Sequence, residues 1–167
     1  RQVVKIKGPT YIRIGRGKEP IPKSIPKVTF GKGRIAKEGS KITIFCTGTI
    51  LEEMKKAAEE LEKMKISTEV IHLHTVKPID HKLITDRIKT RKAIFSAEDH
   101  SIYGGHGSTI AEIIAETTQF SVLFKRFGVA DVYLKEIGSQ AYLRDRHGLS
   151  SKKVVKEIIR VLNKKAV

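Results

Sequence analysis

Short apolar runs of strand length recur along this chain, and each is followed by a stretch whose apolar residues return at helical spacing. "KITIFCTG" (41–48) is a continuous apolar run, the pattern of a strand covered on both faces. Directly after it, Ile50, Leu51, Met54, Ala57, Ala58, Leu61 and Met64 fall on one helical face, and Thr49 and Glu52 have the T-x-x-E spacing of a capping box. "TEVIHLH" (68–74) is the next strand, and "KPIDHKLITDRIK" reads as a short proline-started helix. "KAIFSAE" (92–98) is a third strand, with a helix over 109–117 opened by a second capping box, Thr109 and Glu112. "SVLFKRFGV" gives a fourth strand. The closing segment "SSKKVVKEIIRVLNKK" is an amphipathic helix with Val154, Val155, Ile158, Ile159 and Leu162 inward. Strands alternating with helices predict an α/β fold: an open, mostly parallel, twisted sheet with helices on both faces.

The first third breaks this rhythm. Residues 9–16, "PTYIRIGR", alternate as a strand should, but "GKEPIPKSIPK" then places three prolines in seven residues. A boundary between modules is expected there. Residues 1–16 read as the tail of a second α/β module, 17–34 as a linker, and 35–167 as a self-contained domain. Within "VTFGKGRIAKEGS" two short extended pieces with a glycine turn are expected.

Composition removes several function classes. No stretch approaches the roughly 18 apolar residues of a membrane helix, and "RQVVKIKGPTYIRIGRG" lacks the apolar core of a secretory signal. The single cysteine, Cys46, rules out an internal disulfide, fits a reducing cytoplasm, and reads as an inert buried thiol. His72 and His74 would point to one side of a strand, but a metal site needs three or four ligands and nothing nearby supplies them; no metal ligands are assigned. The net charge of +15 sits at the two ends: residues 1–38 hold eleven Lys/Arg against two acids, and 152–165 six against one. Without a reading motif or stacking aromatics, this argues for solvated surface or an acidic partner and against nucleic-acid binding.

The stretch with most chemistry is "EDHSIYGGHGSTIAE" (98–112), at the carboxyl end of a strand, where ligands gather in such sheets. Gly104, Gly105 and Gly107 permit close backbone approach, and Ser108 or Thr109 can cap the following helix, whose N-terminus attracts anions. The glycines match neither G-x-G-x-x-G nor a P-loop, and no Lys follows. Glu98, Asp99, His100 and His106 could do acid–base work, or cap backbone N–H groups and form an interface. The balance favours the structural or interface reading, with the loop of Glu98, His100, Gly104, Gly105, Gly107 and Ser108 as an interface or anion-binding element. No catalytic residue is assigned.

The succession "GPTYIRIGRGKEP", "TVKPID" and, about twenty residues on, "AEDHSIYGGHGS", then "GSQAYLRDRHGLSSKKVVKEI", resembles the C-terminal third of transketolases. It is similar, more loosely, to the matching region of 1-deoxyxylulose-5-phosphate synthase and of the beta subunit of 2-oxo acid dehydrogenases. The resemblance implies a thiamine-diphosphate and Mg-dependent enzyme built of three α/β modules and acting as a homo-oligomer, a dimer. Such an enzyme moves a two-carbon ketol unit between sugar phosphates in the pentose phosphate pathway. It further implies that the cofactor segment, a GDG with a later Asn, lies on other modules or on an N-terminal subunit, so that this chain alone binds no cofactor and is inactive. One site residue is implied: the Arg ending the "GPT-x-x-x-x-x-R" strand, here Arg16, contacts the substrate phosphate, as a guanidinium fork can. Gly17 stands where many transketolases have Gln. The alternatives are a stand-alone anion-binding or regulatory module of the same fold, or a relative of the deoxyxylulose-phosphate synthases or 2-oxo acid dehydrogenases.

Overall fold

The computed structural model describes residues 2–14, 27–117, 119 and 121–163. Five strands form one sheet in the order β1-β3-β2-β4-β5: β1 (Arg34–Lys37), β2 (Ile42–Cys46), β3 (Thr68–His72), β4 (Ala93–Ser101) and β5 (Leu123–Val129). All pairings are parallel except that of β1 with β3, so the sheet is mostly parallel, as the alternation predicts. The helices are α1 (Leu51–Lys63), α2 (His81–Thr90), α3 (His106–Glu116), α4 (Gln140–Arg146) and α5 (Ser151–Asn163).

Burial on both faces explains the apolar run of β2, in which Thr43 is the one polar residue. Ile42, Ile44 and Cys46 face α1 and α5, while Phe45 faces α2 and α3, and all are buried. The period of two continues in β4: Ala93, Phe95 and Ala97 join the first layer and Ile94 the second. Helix α1 buries Met54, Ala57, Ala58 and Leu61, and α5 buries Val154, Val155 and Ile158, with Ile159 and Leu162 partly covered. Each Leu or Met fully withdrawn from water contributes roughly 1.5–3 kcal/mol. A buried carboxylate ties α2 to the sheet. Glu69 on β3 accepts from Arg87 Nε at 2.7 Å and Nη2 at 2.8 Å, and from the Thr43 hydroxyl at 2.7 Å.

Several local expectations change. Residues 9–14 form no strand, because a lone extended segment has no ladder to satisfy its backbone, and their apolar side chains are bare. Of the two extended pieces expected before residue 40, one pairs, as β1; the other holds a turn at Phe30–Gly31. Met64 lies past the end of α1 and is exposed. Helix α2 is started by Asp80, whose carboxylate accepts the Leu83 N–H, and not by Pro78. Helix α4 had no strong periodic signal in the sequence.

Candidate functional site

In a sheet of this order the crevice lies where β2 and β4 meet, because α1, which follows β2, and α3, which follows β4, pack on opposite faces. Its walls are Thr49, following β2, and the end of β4. This strand runs three residues further than its apolar pattern, through Ser101, because after a register shift Ser101 pairs with Val129. Glu98 and Asp99 are therefore strand residues with side chains on opposite faces.

Glu98 points under α3 and is fully buried, as is His106. One oxygen, Oε2, accepts from His106 Nδ1 at 2.9 Å and lies 3.2 Å from His100 Nε2; the other, Oε1, accepts the Gly107 N–H at 3.3 Å. A carboxylate only accepts, so the His106 proton sits on Nδ1, and its buried Nε2 has no hydrogen-bond partner among the described residues. The carboxylate thus supplies the anion that a helix N-terminus attracts. This outside cap explains why α3 starts at His106, three residues before the expected start. Neither capping box forms: Thr109 lies inside α3, and Thr49 lies in a 3-10 turn ahead of α1 with no cap bond.

Two glycines make room for the carboxylate. A Cβ at Gly105 would lie 2.0 Å from Glu98 Oε2, and one at Gly107 would lie 2.6 Å from Ser96 Oγ and 2.9 Å from Glu98 Oε1. Gly104 serves differently, through a left-handed φ of +73° that reverses the chain after β4. Ser108 pins that corner: its hydroxyl accepts from the Gly104 N–H and from Arg126 Nη1, both at 3.0 Å, and Arg126 also reaches the Ile102 carbonyl at 2.9 Å.

Asp99 closes the crevice on the other face. It pairs with Arg144 of α4 through Nε at 3.1 Å and through Nη2, and accepts from the Thr49 hydroxyl at 3.1 Å. Thr49 in turn accepts from Arg144 Nη2 at 2.9 Å and Gln140 Nε2 at 3.2 Å. The crevice is filled by the chain's own side chains.

Of the singled-out residues, Glu98, His100, Gly104, Gly105, Gly107 and Ser108 come together, joined by His106. Arg16 lies outside the described residues. Arg144 and Arg126 carry much of the arrangement and were not singled out; the partners of Arg144 lie 45 and 95 residues away and those of Arg126 18 and 24, beyond any local motif. Cys46 is buried, which pushes its thiol well above the ordinary range. His72 is held down to about 4 by burial, with Arg34 and then His74 adding positive charge nearby. The His72 and His74 rings are 6.0 Å apart, and among the described residues no group of three or more His, Cys, Asp or Glu is placed to hold a metal ion. None of the described helices is long and apolar enough to cross a membrane.

The family model for "Transketolase, C-terminal domain" matches residues 31–154. Among curated relatives, a 6-deoxy-6-sulfo-D-fructose transketolase subunit of a Clostridium species is 35% identical over 98% of this chain and 50% of its own length. A 1-deoxy-D-xylulose-5-phosphate synthase of Desulfotalea psychrophila is 31% identical over 94% of this chain and 25% of its own. A solved structure described as a split-gene transketolase, an inactive beta4 tetramer, superposes with a TM-score of 0.85 at 32% identity, covering 97% of this chain and 52% of that one. The chain thus spans about half or less of the length of these relatives.

Proposed function

Because the chain belongs to the family of transketolase C-terminal domains, we propose that it is the C-terminal domain or subunit of a transketolase-like enzyme that moves a two-carbon ketol unit between sugar phosphates. In this reading it acts in the cytoplasm within an oligomer, contributes assembly and not catalysis, and is inactive alone. The observation that carries it is the match of nearly the whole chain to only half of a transketolase subunit, at 35% identity. The filled crevice agrees, since Arg144, Thr49 and Gln140 occupy the place where a sheet of this kind would take a ligand.

Thiamine diphosphate would supply the carbanion chemistry of such an enzyme, and this chain's residues do not fit it. The sequence has no GDG segment, and the described residues offer no metal-binding group. The cofactor and its Mg ion are therefore assigned to the rest of the enzyme. Arg16 is assigned to the substrate phosphate, on the strength of the "GPT-x-x-x-x-x-R" pattern and the guanidinium's two parallel donors.

The test is to purify the natural species that carries this chain and assay ketol transfer with thiamine diphosphate and Mg, beside the 167-residue chain alone. Transfer by the larger species only is expected. A lone chain with no partner and no transfer would end this reading and leave the anion-binding or regulatory module. The synthase relative motivates a second assay: turnover of a 2-oxo acid donor in place of a ketose phosphate would move the chain to that branch.

A further inference from the structure

The sheet ends at β5, and a groove of about 530 Å³ opens between that strand and α3. Its walls follow from two periods. Phe124 and Arg126 lie two apart on β5 and share one face of the strand, while Ser108, Ala111 and Glu112 stand at i, i+3 and i+4 on the helix. Ile102 and Lys125 complete the lining. Lys125 turns its ammonium to Glu157 of α5, 3.1 Å away, so the charged groups left to the groove are one guanidinium, Arg126, and one carboxylate, Glu112.

Arg126 is already held in one orientation. Its Nη1 donates to the Ile102 carbonyl at 2.9 Å and to the Ser108 hydroxyl at 3.0 Å, and its Cζ lies 5.7 Å from the centre of the Tyr103 ring. Fixing a long side chain in advance lowers the entropy lost on binding. Among the described residues its Nε and Nη2 carry no hydrogen bond, and no acid pairs with it. Glu98, buried beneath the corner, is engaged by His106 and by the Gly107 N–H. Glu112 is exposed, and among the described residues its carboxylate forms neither an ion pair nor a hydrogen bond. The two opposite charges thus line one groove without meeting each other.

Such a pair fits a molecule that carries both charges itself. Its carboxylate takes the parallel donors of the guanidinium, its ammonium takes Glu112, and its apolar part lies on Ile102, Ala111 and Phe124. An anion without the ammonium would face Glu112 with like charge. We propose that the groove between α3 and β5 is a binding site for a free α-amino acid with an apolar side chain. Its volume lies in the range of roughly 300–1,000 Å³ usual for small-molecule sites. Neither Arg126 nor Glu112 belongs to the machinery assigned to ketol transfer, so the inference stands apart from that reading.

Calorimetric titration of the natural species that carries this chain tests it, with L-phenylalanine, 3-phenylpropanoate and 2-phenylethylamine as probes. The three share a ring, and the last two each lack one charge of the first. L-Phenylalanine should bind at least about tenfold more tightly than either, because each missing charge leaves one group of the groove without its partner. Glu112→Gln, a change at an exposed position, should abolish the advantage over 3-phenylpropanoate and keep that over 2-phenylethylamine. Arg126→Gln should do the reverse; should it fail to fold, the Glu112 variant decides by itself. No binding of L-phenylalanine, equal binding of the three probes, or binding that Glu112→Gln leaves unchanged overturns the site. Ketol transfer is measured on the same samples. Transfer without binding rejects this inference alone; binding without transfer rejects the proposed reaction and keeps the site.

Discussion

A single added methyl group at residue 105 would probe the buried cluster. In Gly105→Ala the new Cβ would lie 2.0 Å from Glu98 Oε2, 2.6 Å from its Cδ and 2.5 Å from His100 Cε1. Real contacts need about 1 Å more, and Glu98 is fully buried, so its carboxylate can retreat only by leaving His106 Nδ1 or the Gly107 N–H. Overpacking of this kind costs about 1–3 kcal/mol, and a lost hydrogen bond to a charged group about 1.5–3 kcal/mol. A loss of about 3 kcal/mol lowers Tm by roughly 6–12 °C for a domain of this size. Backbone strain contributes nothing, since Gly105 sits at φ −89°, ψ −171°, where alanine is at ease. The expectation is therefore conditional. In a Glu98→Ala background the obstacle is gone, His100 is one-third exposed and can swing aside, and Gly105→Ala should cost nothing or gain about 0.4–1 kcal/mol. Thermal and urea unfolding of the two single variants and the double variant give the coupling, expected at about 3 kcal/mol. Additive effects would refute the packing of Gly105 against this carboxylate as the reason for glycine there.

The remaining predictions concern other parts of the molecule. Arg144→Ala should destabilise the domain by about 2–3 kcal/mol in urea unfolding, because it strips a mostly buried Asp99 of its charged partner; a loss under 0.5 kcal/mol would mean that the crevice is held by other contacts. His72 titrates lower in the folded than in the unfolded chain, so the unfolded state takes up the proton first, and stability should fall as pH drops from about 6.5 toward about 4 and no further on its account. His72→Gln should flatten that part of the stability–pH curve; an unchanged slope would remove His72 as its source. In the complete enzyme, Arg16→Ala should raise KM for a phosphorylated ketose far more than for an unphosphorylated one, and equal effects would remove the phosphate assignment.

The order of strands and helices was legible in the sequence because each element carries its own period. β2 is buried at every position since both its faces are covered, and α1 and α5 show the stripe that packs them on one layer. The glycine corner was legible as well, since few motifs place three glycines within four residues at a strand end. The purpose of those glycines was not: the carboxylate they accommodate sits on the preceding strand, and only the folded chain shows Glu98 beneath α3. The two capping boxes were misleading for the same reason. A local hydroxyl competes with any acceptor that the fold delivers, and at α3 the acceptor that takes the helix N–H is the carboxylate of Glu98.

The sequence by itself determined most of the strands and helices, that the sheet is mostly parallel and covered on both faces, and which stretch sits at its carboxyl edge, because these follow from periodicity and chain direction. The tertiary structure alone decided that Asp99 meets Arg144, that the central crevice is filled, and that Tyr133 and Ile137 stand bare. Those outcomes depend on which side chains the sheet order brings together from 45 and 95 residues apart, and no local spacing encodes a meeting at that distance.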